Sequence, residues 1–230
     1  MIGARWFARP EGEGLTLRKA PQLASWNKAT DPDQVRLREY LKDTAELLAP
    51  SLMRGPWALR LDVGLPTGRN LIDLADLDNY AFPPPYCAAR TWCRCGAPSD
   101  TRRPHGPLVV RAQEVAAPET TFTKRTSASS QTKAYKEQVR SSVAHATELP
   151  PGGVHLELAF VVGPRRNWLN LWKPTIDALD PLLGRTRPDR DWHPNDGRII
   201  DLGLHVNVDS SLGHDVLITI AATHADAGPA

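Results

Sequence analysis

The stretch VHLELAFVVGPRRNWLNLWKPTIDALDPLL, residues 154–183, carries the clearest structural signal in the chain. Val154, Leu156, Leu158, Phe160 and Val162 alternate with His155, Glu157 and Ala159, the period of a β-strand. Gly163-Pro164-Arg165-Arg166 turns the chain. Asn167 to Pro174 then leads into a helix whose apolar stripe is Trp172, Ile176, Leu179 and Leu183. Upstream, Ser129-Ser130 can cap a helix running from Gln131 to about Ala146, with Tyr135, Val139 and Val143 on one face. Pro150-Pro151-Gly152-Gly153 stops that helix. Downstream comes a charged loop, Thr186 to Pro194, and the turn Asn195-Asp196-Gly197-Arg198. Ile200, Leu202, Leu204, Val206 and Val208 alternate into a strand, and His214 to Ala222 into a last one. That pair reads as a C-terminal antiparallel hairpin.

The first half follows the same order. Asp31-Pro32 supplies an N-cap and a proline at the first helical position, and Leu37, Leu41 and Leu48 share a face. Pro50 ends the helix. Trp57, Leu59, Leu61, Val63 and Leu65 alternate with Ala58, Arg60, Asp62 and Gly64 into a strand. The turn Pro66 to Asn70 precedes Asp73-Leu74-Ala75-Asp76-Leu77-Asp78-Asn79-Tyr80. Setting Asn79 on Asn170 places Pro83 on Pro174, which reads as an internal repeat. The plainer alternative is that any α/β chain repeats helix then strand. The expected fold is α+β: two tandem units, each with a small mixed or antiparallel sheet and helices packed on one face, related by a pseudo-two-fold axis. The boundaries are an N-terminal arm at 1–16, a first unit at 17–118 and a second at 119–230. Ala4 to Thr16 shows no sustained period and reads as the arm.

Composition narrows the classes. The hydrophobic share of 41% and charged share of 23% are those of a globular protein. Lys and Arg number 28 against 26 Asp and Glu, so any nucleic-acid surface must be a local patch. Apolar runs such as Leu158–Val162 are too short to span a bilayer, and Met1–Pro10 lacks the apolar core of a secretory signal. Three cysteines form no disulfide framework and suit a reducing cytoplasm. All three lie in residues 83–107, a segment rich in Pro and Arg that holds no Ile, Leu, Val, Lys or Glu. Such text reads as an irregular loop. Two origins stay open for it: an insertion, or a reading-frame disturbance in a GC-rich gene. Cys87, Cys93, Cys95 and His105 do not have zinc-knuckle spacing.

Three places can carry chemistry. Asp73, Asp76 and Asp78 would repel one another without a cation, and hard oxygen ligands of this kind suit Mg²⁺. Asp196 ends a polar loop directly before a strand. Lys173 opens an amphipathic helix, where it could contact a phosphate. Each also has a structural reading, as a solvated acidic loop, a plain turn and a surface lysine. No phosphate-binding glycine loop, dinucleotide fingerprint, zinc-protease or serine-hydrolase motif is present.

A strand, a turn, D-x-D-N, a Lys three residues on, D-A-L, a loop, an acidic turn and a strand together resemble the RusA-type Holliday junction resolvases. Asn170, Lys173, Asp177-Ala178-Leu179, Asn195-Asp196 and Arg198-Ile199-Ile200 follow that order. The resemblance implies Mg²⁺ held by the two Asp of the motif and an Asp of the later turn, with the Lys assisting. The second unit departs from it: Asn167 and Leu169 fill the two Asp positions. The first unit keeps Asp76-Leu77-Asp78-Asn79 but has Phe82 in place of the Lys. The family works as a homodimer, so a tandem chain would be a single-chain pseudo-dimer, able to act as a monomer.

Three function classes follow. The first is a nucleic-acid-binding protein of the RusA-like nuclease fold with degenerate catalytic sites. The second is an active Mg²⁺-dependent, structure-selective endodeoxyribonuclease with a composite catalytic site of Asp76, Asp78, Asp196 and Lys173, and Asp73 near the metal. The third is an interaction protein that does not bind nucleic acid. For the first two the partner is branched or double-stranded DNA, the setting DNA recombination or repair. The DNA-contact residues would be Arg165, Arg166, Lys173, Arg185, Arg187, Lys124, Arg125 and Lys133, with Lys136 and Arg190 adding to the same basic face.

Overall fold

A computed structural model describes residues 3–19, 22, 28–51, 56–64, 90–96 and 107–225. Among these the chain is α+β. Its strands are β1 (Trp6–Phe7), β2 (Trp57–Gly64), β3 (Arg90–Gly96), β4 (Pro107–Arg111), β5 (Glu114–Val115), β6 (Phe122–Thr126), β7 (Val154–Val162), β8 (Ile199–Val208) and β9 (Val216–His224). Its α-helices are α1 (Pro32–Leu48), α2 (Lys133–Val143), α3 (Trp172–Ile176) and α4 (Asp180–Leu183). Seven strands form one mixed sheet in the order β4-β2-β3-β8-β7-β9-β6. The separate small sheets expected for the two units are instead one continuous sheet, because strands of the two halves pair antiparallel at β3–β8. On one side β2 lies between parallel β3 and antiparallel β4. On the other β7 lies between parallel β8 and antiparallel β9.

The local signals explain most of the elements. Asp31 caps α1 by accepting from Asp33 N, and Leu37, Tyr40, Thr44 and Leu48 line its buried stripe. In β7 the residues Val154, Leu156, Leu158, Phe160 and Val162 join Leu202, Leu204 and Val206 of β8 and Val216, Ile218 and Ile220 of β9 in the main core. Tyr135, Val139 and Val143 of α2 cover that face, at helical spacing. Leu48 of α1 packs on Leu59 of β2. Leu59 and Leu61 share a strand face, and Leu61 belongs to the main core, so α1 and α2 cover the same side of the sheet.

The N-terminal arm covers the opposite side as a strap. Trp6 packs on Ala159 and Ala221, and Phe7 N–H donates to Nδ1 of the fully buried His205 at 3.3 Å. Arg9 lies 3.8 Å from Asp201 and 3.7 Å from Asp62. Arg60 donates to the carbonyls of Pro10 and Gly12, and Leu15 N–H donates to Pro107 O. The arm thus crosses from β9 to β4 and is tied to strands of both halves.

Four further sequence expectations change. The helix expected from Gln131 begins at Lys133, and Thr132, not Ser129 or Ser130, caps it by accepting from Tyr135 N. The single helix expected after Lys173 is two short ones. Pro181 has no N–H to give to a helix running through it, so the chain leaves helical geometry at Leu179 (φ −93°, ψ 19°) and restarts at Asp180. Even so, Trp172, Ile176, Leu179 and Leu183 are all buried. The last two strands are not a hairpin, because β7 lies between β8 and β9. Being apolar on both alternating sets at its C-terminal end, β7 suits a central position. Last, residues 90–96 of the segment expected to be a loop form β3, a central strand bonded on both edges. A strand with two backbone partners gains its stability from the ladder, which composition does not register. The Asp73, Asp76 and Asp78 cluster and Phe82 lie outside the described residues.

Candidate functional site

The residues of the Asn-x-x-Lys-x-x-x-Asp-Ala-Leu stretch and the later acidic turn converge. Asn167 caps a 3-10 turn, Trp168–Asn170, its Oδ1 accepting from Leu169 N at 3.1 Å. Leu169 packs partly buried against the main core. The next turn, α3, presents Lys173, whose ammonium lies 3.0 Å from Asp177 Oδ1 and donates to Asp196 Oδ2 at 3.0 Å. Lys136 of α2 donates to the other Asp177 oxygen at 2.7 Å. Charges therefore alternate along one row: Lys136, Asp177, Lys173, Asp196. All four side chains keep some exposure, with Lys173 the most open at 40%. Asp177 was named in the sequence only within the Asp-Ala-Leu element and Lys136 only in the basic face; the structure brings both to Lys173. The signal for Asp177 was its i+4 position after Lys173 on a helical turn.

Two buried anchors hold this row. The Tyr135 phenol sits 2.8 Å from Thr175 Oγ1 and ties α2 to α3. Burial pushes its pKa up to about 12, partly offset by the Thr175 hydrogen bond. The folded state thus holds the Tyr135 proton more tightly than the unfolded state, whose phenol titrates near pH 10. The stabilisation is complete below about pH 10 and is lost as pH rises toward 12. Tyr135→Phe should unfold at higher pH than the wild type in alkaline urea titrations; identical curves would contradict this. The second anchor is Arg198, which closes the 3-10 turn Asp196–Arg198. It is 3% exposed and donates to the carbonyls of Gly152 (2.9 Å), Leu149 (3.3 Å), Leu183 (3.2 Å) and Pro150. Burial lowers its pKa, with Glu148 acting in the other direction. Arg198 fixes where Asp196 stands.

The expected DNA-contact residues are dispersed in role. Arg165 is exposed, and Arg166 donates to Ala128 O. Lys124 donates to Ser141 Oγ, Arg125 pairs with Asp215 at 2.7 Å, and Lys133 pairs with Glu137 at 3.1 Å. Arg187 is exposed on the loop before Asp196. Arg185 is engaged in structure: it binds Asp180, whose carboxylate also takes a bidentate bond from Arg140, and it reaches Asp191 at 3.3 Å. That ion cluster makes Arg185 a scaffold residue.

A divalent ion does not fit the second half's residues by themselves. Leu169 has no donor atom, the Asn167 oxygen is used as a cap, and Asp196 is bonded to an ammonium. Among the described residues no group of three or more His, Cys, Asp or Glu is placed to hold a metal. Also among them, no helix is long and apolar enough to cross a membrane. The sequence matches no protein-family model and no curated protein.

Proposed function

We propose that the protein binds branched or double-stranded DNA through a RusA-like nuclease framework present in two divergent tandem copies, with degenerate catalytic sites. The observation that carries the reading is the convergence of Asp196 with Lys173 and Asp177, a helical i+4 pair some way upstream, all three at successive positions of the resolvase-like order. The two motif carboxylates are replaced by Asn167 and Leu169, and Asp196 is bonded to the Lys173 ammonium, which favours phosphate contact over metal-assisted cleavage in this half. Duplication is supported by the strand pairing. The trios β4-β2-β3 and β9-β7-β8 have the same parallel and antiparallel relations, and they abut through an antiparallel β3–β8 pair, as a pseudo-two-fold axis requires.

The test uses four-way junction and linear duplex DNA with the whole chain, with and without Mg²⁺ or Mn²⁺. Binding without efficient cleavage is expected. Lys136→Ala with Lys173→Ala should reduce the salt slope of binding by roughly 1 to 2, at about 0.9 per lost phosphate contact. Efficient cleavage abolished by Asp76→Asn with Asp78→Asn would instead favour the composite endonuclease. Absence of DNA binding at low salt would refute both readings and leave a protein interaction role.

A further inference from the structure

We infer that residues 184–195 form a rigid hairpin that grips a DNA backbone beside the Lys173 site; the inference rests on the DNA-binding reading. The segment is a narrow antiparallel loop. Arg185 and Pro194 form a β-bridge, Thr186 N–H donates to His193 O at 3.1 Å, and Asn195 N–H donates to Gly184 O at 3.0 Å. Gly184 at its base has φ +74°, where a side chain would be strained and would meet Glu148. At the tip, Arg190 N–H donates to Arg187 O at 3.1 Å, closing a turn with Pro188 at the position where proline fits best.

The hairpin is held at its root and bare at its tip. Arg185 and Arg140 converge on the nearly buried Asp180 and also approach Asp191. The Arg140 guanidinium lies 5.8 Å from the centre of the Trp192 ring. Trp192 has φ 65°, a strained conformation for a bulky residue, and such strain persists where the surroundings over-determine it. By contrast, Thr186, Arg187, Pro188, Asp189 and Arg190 are all exposed. The tip offers no large apolar side chain to a protein partner. It offers two guanidiniums, whose planar donor forks match phosphate oxygens. The returning arm runs through Asn195 straight into Asp196, which is bonded to Lys173. A duplex whose phosphates reach Lys173 thus passes the hairpin. Asp189, exposed between the two arginines in sequence, puts a negative charge at the tip that repels phosphate, so its removal should strengthen the contact.

The experiment compares junction binding by the full chain across a salt series for the wild type, Arg187→Ala with Arg190→Ala, the double Lys replacement at the same positions, and Asp189→Asn. Thermal melts verify that each variant is folded. The Ala pair should flatten the log–log salt slope by about 1.8 and weaken low-salt affinity roughly tenfold, as for two lost phosphate contacts. The Lys pair should keep most of the slope, and Asp189→Asn should bind more tightly. Wild-type binding with an unchanged slope and affinity in the Ala pair overturns the hairpin inference alone. A wild type that binds no DNA overturns the DNA reading and this inference with it.

Discussion

Asp180→Ala should destabilise the protein by about 3 kcal/mol, the low end for breaking a buried ion pair. The Asp180 side chain is 2% exposed and accepts from Arg140 Nε at 2.8 Å, Arg140 Nη2 at 3.0 Å and Arg185 Nε. Deleting the carboxylate leaves the two guanidiniums with only the more exposed Asp191 beside them, at 3.9 Å from Arg140 and 3.3 Å from Arg185. Both are partly exposed, at 35% and 27%, and can turn toward water, which keeps the cost from rising further. The site also opens α4 and roots the 184–195 hairpin, so hydrogen exchange there should speed up more than in β7. Asp180→Asn keeps an acceptor and should cost less. Urea unfolding reads the difference; a loss below about 1 kcal/mol for the Ala variant would place the cluster among ordinary surface pairs.

Arg198→Met should have an effect of the same order, about 3–4 kcal/mol. Its guanidinium satisfies the carbonyls of Leu149, Pro150, Gly152 and Leu183 at once, in a place with 3% exposure. Methionine approximates the stem but leaves those acceptors without the donor, at about 1 kcal/mol each. Lysine carries its donors at one point and cannot span them, so Arg198→Lys should recover only part of the loss. Unfolding midpoints for the three proteins check the order Arg, Lys, Met. Equal stability of the Lys and wild-type proteins would show that the fork geometry is not what matters.

The sequence made visible those elements whose cause is local. The alternation in 57–64 and 154–162 reports strands because each has one face against helices. Asp31-Pro32 reports the start of α1 because the cap is made by adjacent residues. Strand order was out of reach, since the pairing of β7 with both β8 and β9 depends on contacts distant along the chain. For the same reason β3 was hidden: its ladder partners are supplied by β2 and β8. At the site, Lys173 and Asp196 were legible as ends of elements beside polar loops. Asp180, Arg140 and Arg198 were not, because a charged residue is expected outside until a buried partner is known. The anchoring of Arg198 by four main-chain carbonyls has no side-chain pattern to announce it.

Binding of a four-way DNA junction by the wild-type chain, titrated between 50 and 200 mM salt, tests the central claim most directly. With about six phosphate contacts from the basic residues around Lys173, affinity should fall roughly a thousandfold across that range, and equally for junctions of unrelated sequence. An affinity that stays constant over the same range, or no binding at its low end, would contradict the proposed function.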